Sequence, residues 1–287
     1  MSGLRIAAVQ MRSGRSVGAN IDAAEAMIRS AATDGAGYVL TPEMTNLLER
    51  DKRALMAAIT TEEMCPALAR FRDLAAELGI FLHVGSLALK LADGGVANRG
   101  FLIGPDGAIL ARYDKIHMFD VDLPNGESWR ESATYRAGEH AVVADLPGIR
   151  LGLSICYDVR FPQLYRGLAK AGAGLLAVPA AFTRQTGEAH WHVLLRARAI
   201  ESGAYVIAAA QGGTHEDGRE TYGHSLIVDP WGVVIAEAGT EPGVIAADID
   251  PAAVAAARAR IPALANDRPF ALPDLGRAAS APEKAAS

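Results

Sequence analysis

The feature of this sequence that most limits its possible folds is a series of twelve short apolar segments separated by Gly, Pro and Asp. Each segment has four to six residues, which is the length of a β-strand, and many contain β-branched residues. The segments are Ile6–Gln10, Gly37–Leu40, Ile80–Val84, Gly100–Ile103, Ile109–Tyr113, Ala141–Ala144, Leu151–Ile155, Leu175–Val178, Tyr205–Ala210, Ser225–Val228, Val233–Ala236 and Val244–Ile249. The sequence therefore predicts a protein built around β-sheet.

Helical patterns lie between some of these segments. Apolar residues recur at helical spacing in Ile21–Ala32, Pro66–Leu78, Pro162–Ala171 and Glu188–Ser202, and Gly79 is a plausible helix stop. Strands and helices alternate early in the chain, whereas the middle and the end carry more consecutive strands. This arrangement predicts an α/β fold with mixed rather than purely parallel sheets.

The chain shows no convincing linker and no internal repeat. We expect a single domain over residues 1–277 and a disordered tail over residues 278–287, because the last ten residues are small and polar. Half of the 287 residues are hydrophobic and 21% are charged, so a large core can form.

Charge and cysteine content exclude several classes of protein. The formal net charge is −5 and no run of Lys or Arg stands out, which argues against nucleic acid as a partner. The N-terminus does not resemble a signal peptide, and the longest apolar run, Ala171–Phe182, is too short to cross a bilayer. Two cysteines make no disulfide framework. We expect a cytoplasmic protein with reduced thiols and no membrane partner.

A candidate nucleophile follows one of the predicted strands. Cys156 directly follows the segment Leu151–Ile155, and a helix is predicted to begin near Pro162. A cysteine in a sharp turn after a strand presents its sulfur, and the backbone N–H of Tyr157 is available to a developing oxyanion. The alternative is that Cys156 is a small buried hydrophobic residue, the commoner fate of a lone cysteine.

Two charged residues follow other strands and have the chemistry that a nucleophilic thiol needs. Glu43 comes just after Gly37–Leu40, where burial is expected to raise its pKa towards that of a general base. Lys115 follows Ile109–Tyr113, where a fixed ammonium can stabilise an oxyanion. Taken alone, each is also compatible with an ordinary surface charge.

The three segments together resemble the carbon–nitrogen hydrolase (nitrilase) superfamily. Its base motif matches TPEM at 41–44, its lysine motif matches YDKIHMFDVDLP at 113–124, and its nucleophile motif matches SICYDVRFPQLY at 154–165. The candidate residues are 72 and 41 positions apart, and the resemblance covers roughly residues 4–269. Three ordered motifs are far more specific than any one of them.

A fourth site residue follows from the resemblance. The family often has a second glutamate between its lysine and its cysteine, and Glu131 matches that position, 16 residues after Lys115. Its carboxylate is expected to orient Lys115 or the amide nitrogen of the substrate. Glu127, four residues earlier, is the alternative.

The resemblance also implies a fold, an assembly and a mechanism. It implies an α-β-β-α sandwich of two mixed sheets with helices outside, and a homodimer that extends the sandwich. Glu43 would remove the thiol proton, Cys156 would attack the amide carbonyl, and Lys115 with the Tyr157 N–H would hold the oxyanion. No metal or organic cofactor is expected, and the partner is a small-molecule amide.

Within the superfamily the chain resembles the amidase branch. The nitrile-cleaving branch usually has Trp and Glu after the cysteine, whereas this chain has Tyr157 and Asp158. The segment 181–232, including AAAQ and the loop GGTHEDGRETYGHS, is closest to deaminated glutathione amidases and separates the chain from typical omega-amidases. NDRPFALP, from Asn266 onwards, departs from the usual family sequence and leaves its contribution to substrate binding open.

A substrate with a carboxylate needs a cation or several N–H donors near the pocket. Arg160 and Arg184 are the candidates for this role, and Phe182 is a further candidate for substrate contact. Arg160 has an alternative role, because it can pair with Asp158 or a neighbouring carboxylate and only shape the turn.

Several other readings remain open. Omega-amidase and N-carbamoyl amino-acid amidohydrolase are alternatives within the enzyme class. Two alternatives come from other classes: a thiol redox or sensor protein, which would need a resolving cysteine that Cys65 is not obviously placed to be, and an inactive binding subunit, against which the intact Glu43, Lys115 and Cys156 set argues. The histidines show no zinc-like spacing, Trp191 and Leu194 are expected in the core, and GGTHEDG is expected to form a hairpin loop.

Overall fold

The computed structural model describes residues 3–123, 126 and 128–271. We number strands and helices in chain order. The strands are β1 Leu4–Gln10, β2 Tyr38–Leu40, β3 Phe81–Lys90, β4 Val96–Ile103, β5 Ile109–Asp114, β6 Asp120–Asp122, β7 Ser128–Arg130, β8 Tyr135–Arg136, β9 Val143–Leu146, β10 Ile149–Gly152, β11 Leu175–Ala177, β12 Tyr205–Ala208, β13 Gly212–Thr214, β14 Glu220–Tyr222, β15 Leu226–Val228, β16 Val234–Glu237 and β17 Gly243–Ile249. The α-helices are α1 Val17–Thr33, α2 Lys52–Ala58, α3 Pro66–Leu78, α4 Pro162–Lys170, α5 Arg184–Ser202 and α6 Pro251–Arg260.

Two large sheets organise the chain. The first has the order β17-β1-β2-β3-β4-β5, with β8 paired to β4, and the second has the order β16-β15-β12-β11-β10-β9. In each sheet three neighbouring strands are parallel, β1-β2-β3 and β10-β11-β12, and the other neighbours in the two orders are antiparallel. Both sheets are therefore mixed, as predicted.

Alternation along β1 shows how the layers form. Ile6 and Ala8 belong to the core cluster that also holds Leu151 and Val206 of the second sheet, whereas Ala7 and Val9 belong to a separate cluster with the apolar faces of α1 and α3. Successive side chains of a strand point to opposite faces, so one strand serves both layers.

The second sheet is covered in the same way on its outer face. Leu168 of α4 and Trp191 of α5 pack into the cluster that contains β10, β11 and β12. The layers follow the order helix, sheet, sheet, helix, and the predicted α-β-β-α sandwich is confirmed. Trp191 is fully buried, as expected, whereas Leu194 is only partly buried against the core.

The twelve predicted strands are all present, with shifted ends. The largest shift is at β3, which continues to Lys90 instead of ending at Val84, and β10 ends at Gly152 instead of continuing to Ile155. The chain leaves the sheet there because Asp158 accepts a hydrogen bond from the backbone N–H of Ile155 at 2.9 Å, which closes a turn instead of a strand ladder. The predicted hairpin at GGTHEDG is confirmed as β13-β14.

The sequence interpretation missed several elements. Helix α2 has only seven residues, and α6 is rich in alanine without a clear apolar stripe, although Asp51 and Asp250 cap their first turns. The hairpin β6-β7 was also missed, because its strands have three residues each and are polar. The predicted tail at residues 278–287 lies outside the described residues. Among the helices that are described, none has the length and apolarity needed to cross a bilayer.

Candidate active site

Three strand ends meet at the contact between the two sheets. Glu43 follows β2, Lys115 follows β5 directly, and Cys156 lies four residues after β10. Their exposed fractions are 4%, 2% and 7%, and all three line one cavity of about 310 Å³. The structure thus brings together residues that are separated by up to 113 positions in the chain.

The turn at Cys156 is strained and well anchored. Cys156 has φ +50°, in the left-handed region that costs a non-glycine residue about 1–3 kcal/mol. Its backbone N–H donates to the Pro179 carbonyl at 2.8 Å, and Asp158 holds the preceding residue Ile155. A nucleophile on such a turn has its side chain displayed away from the sheet and towards the cavity.

Both oxygens of the Glu43 carboxylate are held by donors. Oε1 accepts from Lys115 Nζ at 2.9 Å and from Asn98 Nδ2 at 2.8 Å, and Oε2 accepts from the backbone N–H of Ala181 at 2.8 Å. The backbone carbonyl of Glu43 accepts from Gln211 Nε2 at 3.0 Å. The carboxylate therefore has a defined position and orientation beside the thiol.

Lys115 lies between two carboxylates. Its Nζ contacts Glu43 Oε1 at 2.9 Å and the two oxygens of Glu131 at 2.9 and 2.8 Å. Glu131 is in turn held by the backbone N–H of Phe119 at 2.7 Å. The geometry brings Glu131 into the cluster where the sequence predicted a fourth site residue. Glu127, the alternative, lies outside the described residues.

The charges of the cluster set its protonation. Burial raises the pKa of the Cys156 thiol well above its usual value, and the negative charge of Glu43 adds to that rise. Burial also acts to raise the pKa of Glu43, but Lys115 and the hydrogen bonds from Lys115, Cys156 and Asn98 outweigh burial and lower it. The pKa of Lys115 is raised well above its usual value, because the attraction of Glu131 and Glu43 outweighs burial. The resting cluster is a neutral thiol beside an ionised carboxylate and an ammonium.

The expected direction for Glu43 is therefore corrected. The sequence suggested that burial would raise its pKa, whereas the structure places an ammonium 2.9 Å away and the pKa is lowered. The carboxylate stays ionised near neutral pH. It can act as the base because it lies beside the thiol, and not because its pKa is elevated.

A glycine lets the two sheets approach at this point. A Cβ atom at Gly85 of β3 would lie 2.1 Å from the Thr41 carbonyl, 2.6 Å from the Pro42 carbonyl and 2.5 Å from Pro179. Thr41 and Pro42 precede Glu43, and Pro179 receives the Cys156 N–H. Absence of a side chain at Gly85 therefore permits the base segment and the nucleophile segment to pack against each other.

Asp158 links the nucleophile turn to the lysine strand. Its carboxylate is fully buried and accepts from the Tyr113 hydroxyl at 2.7 Å and from the His117 backbone N–H at 3.0 Å, and it contacts His117 Nδ1 at 2.6 Å. Tyr113 and His117 lie two residues on either side of Lys115. The alternative pairing of Asp158 with Arg160 is wrong, because these partners surround the carboxylate.

The predicted substrate contacts fall into two groups. Tyr157 and Phe182 line the cavity. Arg160 does not line it, and its guanidinium lies 5.2 Å from the centre of the Phe182 ring and 5.9 Å from that of Tyr157. Arg184 is 61% exposed, is paired with Glu188 at 3.0 Å and lines a different cavity. Its predicted contact with the substrate carboxylate is not supported by this position.

Sequence reasoning missed Asn98 and Gln211. Asn98 is buried in β4, and its amide donates to Glu43 at 2.8 Å and to Glu131 at 3.3 Å. Asparagine is depleted in strands, so an Asn among apolar strand residues is a usable signal of a polar role. Gln211 ends the AAAQ stretch, is fully buried and holds both Ser13 and Glu43.

A second polar cluster forms away from the cavity. Ligand atoms of His192, His224 and Glu237 all lie within 4.8 Å of one another, although their sequence spacing does not indicate a metal site. Both imidazoles contact the same Glu237 oxygen, at 2.8 and 3.0 Å, so hydrogen bonds account for the grouping. None of the three residues lines the cavity of Cys156.

Comparison with known proteins agrees with this geometry. The family model described as carbon-nitrogen hydrolase matches residues 5–259. The deaminated glutathione amidase of Synechocystis sp. is 44% identical over 268 residues, which are 90% of this chain and 96% of that protein. The omega-amidase NIT2 of Homo sapiens is 37% identical over 270 residues, covering 93% and 96% of the two chains.

Solved structures show the same architecture. The Caenorhabditis elegans NitFhit protein superposes with a TM-score of 0.87 at 38% identity, covering 93% of this chain and 66% of that one. A variant of the amidase from Nesterenkonia sp. AN1 shows covalent addition of the acetamide moiety of fluoroacetamide at its active site cysteine. It has a TM-score of 0.78 at 28% identity and covers 93% of this chain and 94% of its own.

The fold, the buried Glu–Lys–Cys cluster and these relatives define a cysteine-dependent amidohydrolase that acts on carbon–nitrogen bonds other than peptide bonds. The chain belongs to the carbon–nitrogen hydrolase family, the nitrilase superfamily that its motifs resemble.

Proposed function

We propose that this protein is a deaminated glutathione amidase. It hydrolyses the amide between a 2-oxoglutaryl group and the amine of Cys-Gly. The relative from Synechocystis sp. supports this substrate, since 44% identity extends over 96% of its length. The observation that carries the reaction type is the cavity in which Cys156, Glu43 and Lys115 are buried together.

In the first half of the reaction Cys156 is acylated. Because the thiol is neutral at rest, Glu43 takes its proton as Sγ attacks the amide carbonyl carbon, and the carbonyl oxygen becomes an oxyanion. Lys115 Nζ and the backbone N–H of Tyr157 stabilise this oxyanion. Its collapse breaks the C–N bond, the amine leaves with the proton from Glu43, and a thioester remains on Cys156.

In the second half a water molecule releases the acid. Glu43, again ionised, takes a proton from the water molecule as the water oxygen attacks the thioester carbon. The same two donors hold the second oxyanion, and the thiolate leaves and regains the proton. Glu131 keeps Lys115 in position throughout, because it holds Nζ through both carboxylate oxygens at 2.9 and 2.8 Å.

The proposed substrate is tested by comparing kcat/KM for deaminated glutathione, 2-oxoglutaramate and an N-carbamoyl amino acid. We expect deaminated glutathione to be preferred by tenfold or more, which corresponds to about 1.4 kcal/mol of transition-state discrimination. Preference for the N-carbamoyl compound would contradict the amidase assignment.

Omega-amidase is the second candidate function. It is supported by the 37% identity to the human omega-amidase NIT2 over 93% of this chain. Preference for 2-oxoglutaramate by the same tenfold margin would replace deaminated glutathione as the substrate.

We also propose that the protein is a cytoplasmic homodimer. Both cysteines are free, which suits a reducing compartment. Val193 and Ile200 of α5 and Trp231, between β15 and β16, are 68%, 52% and 53% exposed, and a second copy would cover them. Light scattering after size exclusion tests this assembly: Val193→Glu together with Ile200→Glu should yield monomers, and an unchanged mass would contradict the interface.

A further inference from the structure

The mouth of the catalytic cavity carries two arginines over one tryptophan. The guanidinium carbons of Arg50 and Arg219 each lie 4.5 Å from the centre of the Trp129 ring. The three side chains come from separate segments: the loop before α2, strand β7 and the β13-β14 hairpin. All three line the cavity that contains Cys156.

These cations are poorly neutralised by the protein. Arg130, a neighbour at the mouth, is paired with Asp122 at 2.8 Å, and the nearby Glu49 is paired with Arg15 at 3.0 Å. Within the described part of the chain no acidic side chain pairs with Arg50. Arg219 Nε lies 4.0 Å from Oδ2 of the buried Asp217, beyond hydrogen-bond distance, and neither of these two atoms has a hydrogen-bond partner there.

Arg50 has no acidic partner among the described residues, and the guanidinium groups of Arg50 and Arg219 both line the cavity beside Trp129, so the two cations can receive an anion there. A planar guanidinium binds a carboxylate through two parallel N–H donors, and the face of an aromatic ring helps to hold two like charges close together. The mouth therefore suits a carboxylate of the substrate better than an ammonium or an apolar end.

The separation of Trp129 from the nucleophile turn is the measure for choosing between the two carboxylates of the substrate. Trp129 is separated from Tyr157, the residue after the nucleophile, by two ring-to-ring steps through Phe119 of 6.3 and 5.1 Å. In deaminated glutathione the acyl arm places its carboxylate four bonds from the scissile carbonyl carbon, or about 5 Å, and the leaving arm places its carboxylate six bonds away, or about 7 Å. The longer leaving arm fits the distant cations better.

The chemistry of the two candidate substrates points to the same arm. Arg219 belongs to the loop GGTHEDGRETYGHS. The omega-amidase substrate 2-oxoglutaramate releases ammonia, so it has no carboxylate on its leaving group. A cation contributed by this loop is suited to a substrate whose leaving group carries a carboxylate.

We propose that Arg50 and Arg219, arranged on Trp129, bind the carboxylate of the leaving amine. The site thereby selects amides whose amine part is a short peptide with a free C-terminal carboxylate. This inference rests on the proposed function, because it assigns a recognition subsite to the same cavity.

The test compares three substrates on four enzymes. The substrates are deaminated glutathione, the same compound with its glycine carboxylate converted to a primary amide, and 2-oxoglutaramate. The enzymes are the wild type, Arg50→Gln, Arg219→Gln and the matched control Arg184→Gln, which removes an arginine outside the cavity.

Wild-type kcat/KM should be at least tenfold higher for deaminated glutathione than for its C-terminal amide. Arg50→Gln and Arg219→Gln should each lower kcat/KM for deaminated glutathione by about ten- to a hundredfold, mainly through KM, because each removes charged hydrogen bonds. The decrease for the other two substrates should be at least tenfold smaller, and Arg184→Gln should behave as the wild type.

The other outcomes each overturn a separate statement. Equal decreases for all three substrates mean that the arginines act on the acyl arm or on the fold, and no decrease means that they do not bind substrate. If either variant fails to fold, the wild-type comparison of acid with amide still decides, and equal rates would refute the subsite. Failure of the wild type to hydrolyse deaminated glutathione would refute the proposed function instead.

Discussion

The two cysteines of this chain are almost equally buried and have opposite surroundings. Cys65 is 4% exposed and Cys156 is 7% exposed, and burial raises the pKa of both thiols. Cys65 caps helix α3 with an ordinary φ of −76° and packs in the cluster between that helix and the first sheet. Cys156 has φ +50° and lines a cavity with Lys115 and Glu43.

Burial and pKa direction therefore do not separate a reactive thiol from an inert one in this protein. The difference lies in access and in the neighbours that accept the proton and stabilise the developing negative charge. Cys65 does not line the cavity that contains Cys156, and the charged group that acts on its thiol is the carboxylate of Glu62 instead of an ammonium. The redox reading is also not supported, because only Cys156 of the pair lines the cavity.

The largest expected effect is the loss of the Cys156 thiol. Cys156→Ala should lower kcat by about 10⁴-fold or more, since removal of a nucleophile removes the covalent route. Mass spectrometry of wild-type enzyme mixed with substrate should show an acyl adduct on Cys156 and none on Cys65. Equal loss of activity in Cys156→Ala and Cys65→Ala would show that the thiol is misassigned.

Removal of the Lys115 ammonium should make the surroundings of Cys156 more similar to those of Cys65. Lys115→Ala should lower kcat by about a hundredfold or more, because an oxyanion donor is lost. It should also destabilise the fold by about 3–5 kcal/mol, since the carboxylates of Glu43 and Glu131 are left buried and unpaired. Circular dichroism checks that the variant remains folded at the assay temperature, with Lys90→Ala as the control. Near-normal kcat with a raised KM would assign Lys115 to substrate binding.

A smaller effect is expected from Glu131, which holds Lys115 without its own contact to Cys156. Glu131→Gln keeps the shape of the side chain but removes the negative charge that contacts Lys115 Nζ. We expect kcat to fall by about ten- to a hundredfold with little change in KM. Glu139→Gln, at an exposed position, is the matched control. An equal effect of both variants would remove Glu131 from the site.

The pH profile should also distinguish the active cluster from a free thiol. The pKa of Glu43 is lowered below 4.5 and the pKa of Cys156 is raised above 9. A reaction that starts from a carboxylate and a neutral thiol therefore loses activity at low pH, where Glu43 becomes protonated, and at high pH, where Cys156 ionises. We expect kcat/KM to be flat from about pH 5 to pH 9. A rise with pH through this range would indicate that a preformed thiolate attacks.

The smallest effect is expected at Cys65. Cys65→Ala should leave kcat/KM unchanged and lower the free energy of unfolding by about 1 kcal/mol, because it only removes a small buried group. Urea denaturation of the variant and the wild type measures this difference. A clear loss of activity in the folded variant would give Cys65 a role that its position does not indicate.

Much of the fold was determined by local sequence. The strand segments and the four main helices follow from apolar spacing and from Gly and Pro at their ends, which act over a few residues. The short polar strands β6 and β7 were missed because three residues carry too little periodicity. The positions of Glu43, Lys115 and Cys156 after strands were also readable, and the family motifs indicated that they act together.

Only the tertiary structure decided how these residues behave. The lowered pKa of Glu43 depends on an ammonium 2.9 Å away and 72 positions along the chain, and Coulomb interactions at that range change with fractions of an ångström. The same holds for Asn98 between two carboxylates and for Arg50 and Arg219 over Trp129, whose partners lie far away in sequence. Sequence periodicity specifies which face of an element is buried, whereas the contact between two sheets specifies which charges meet.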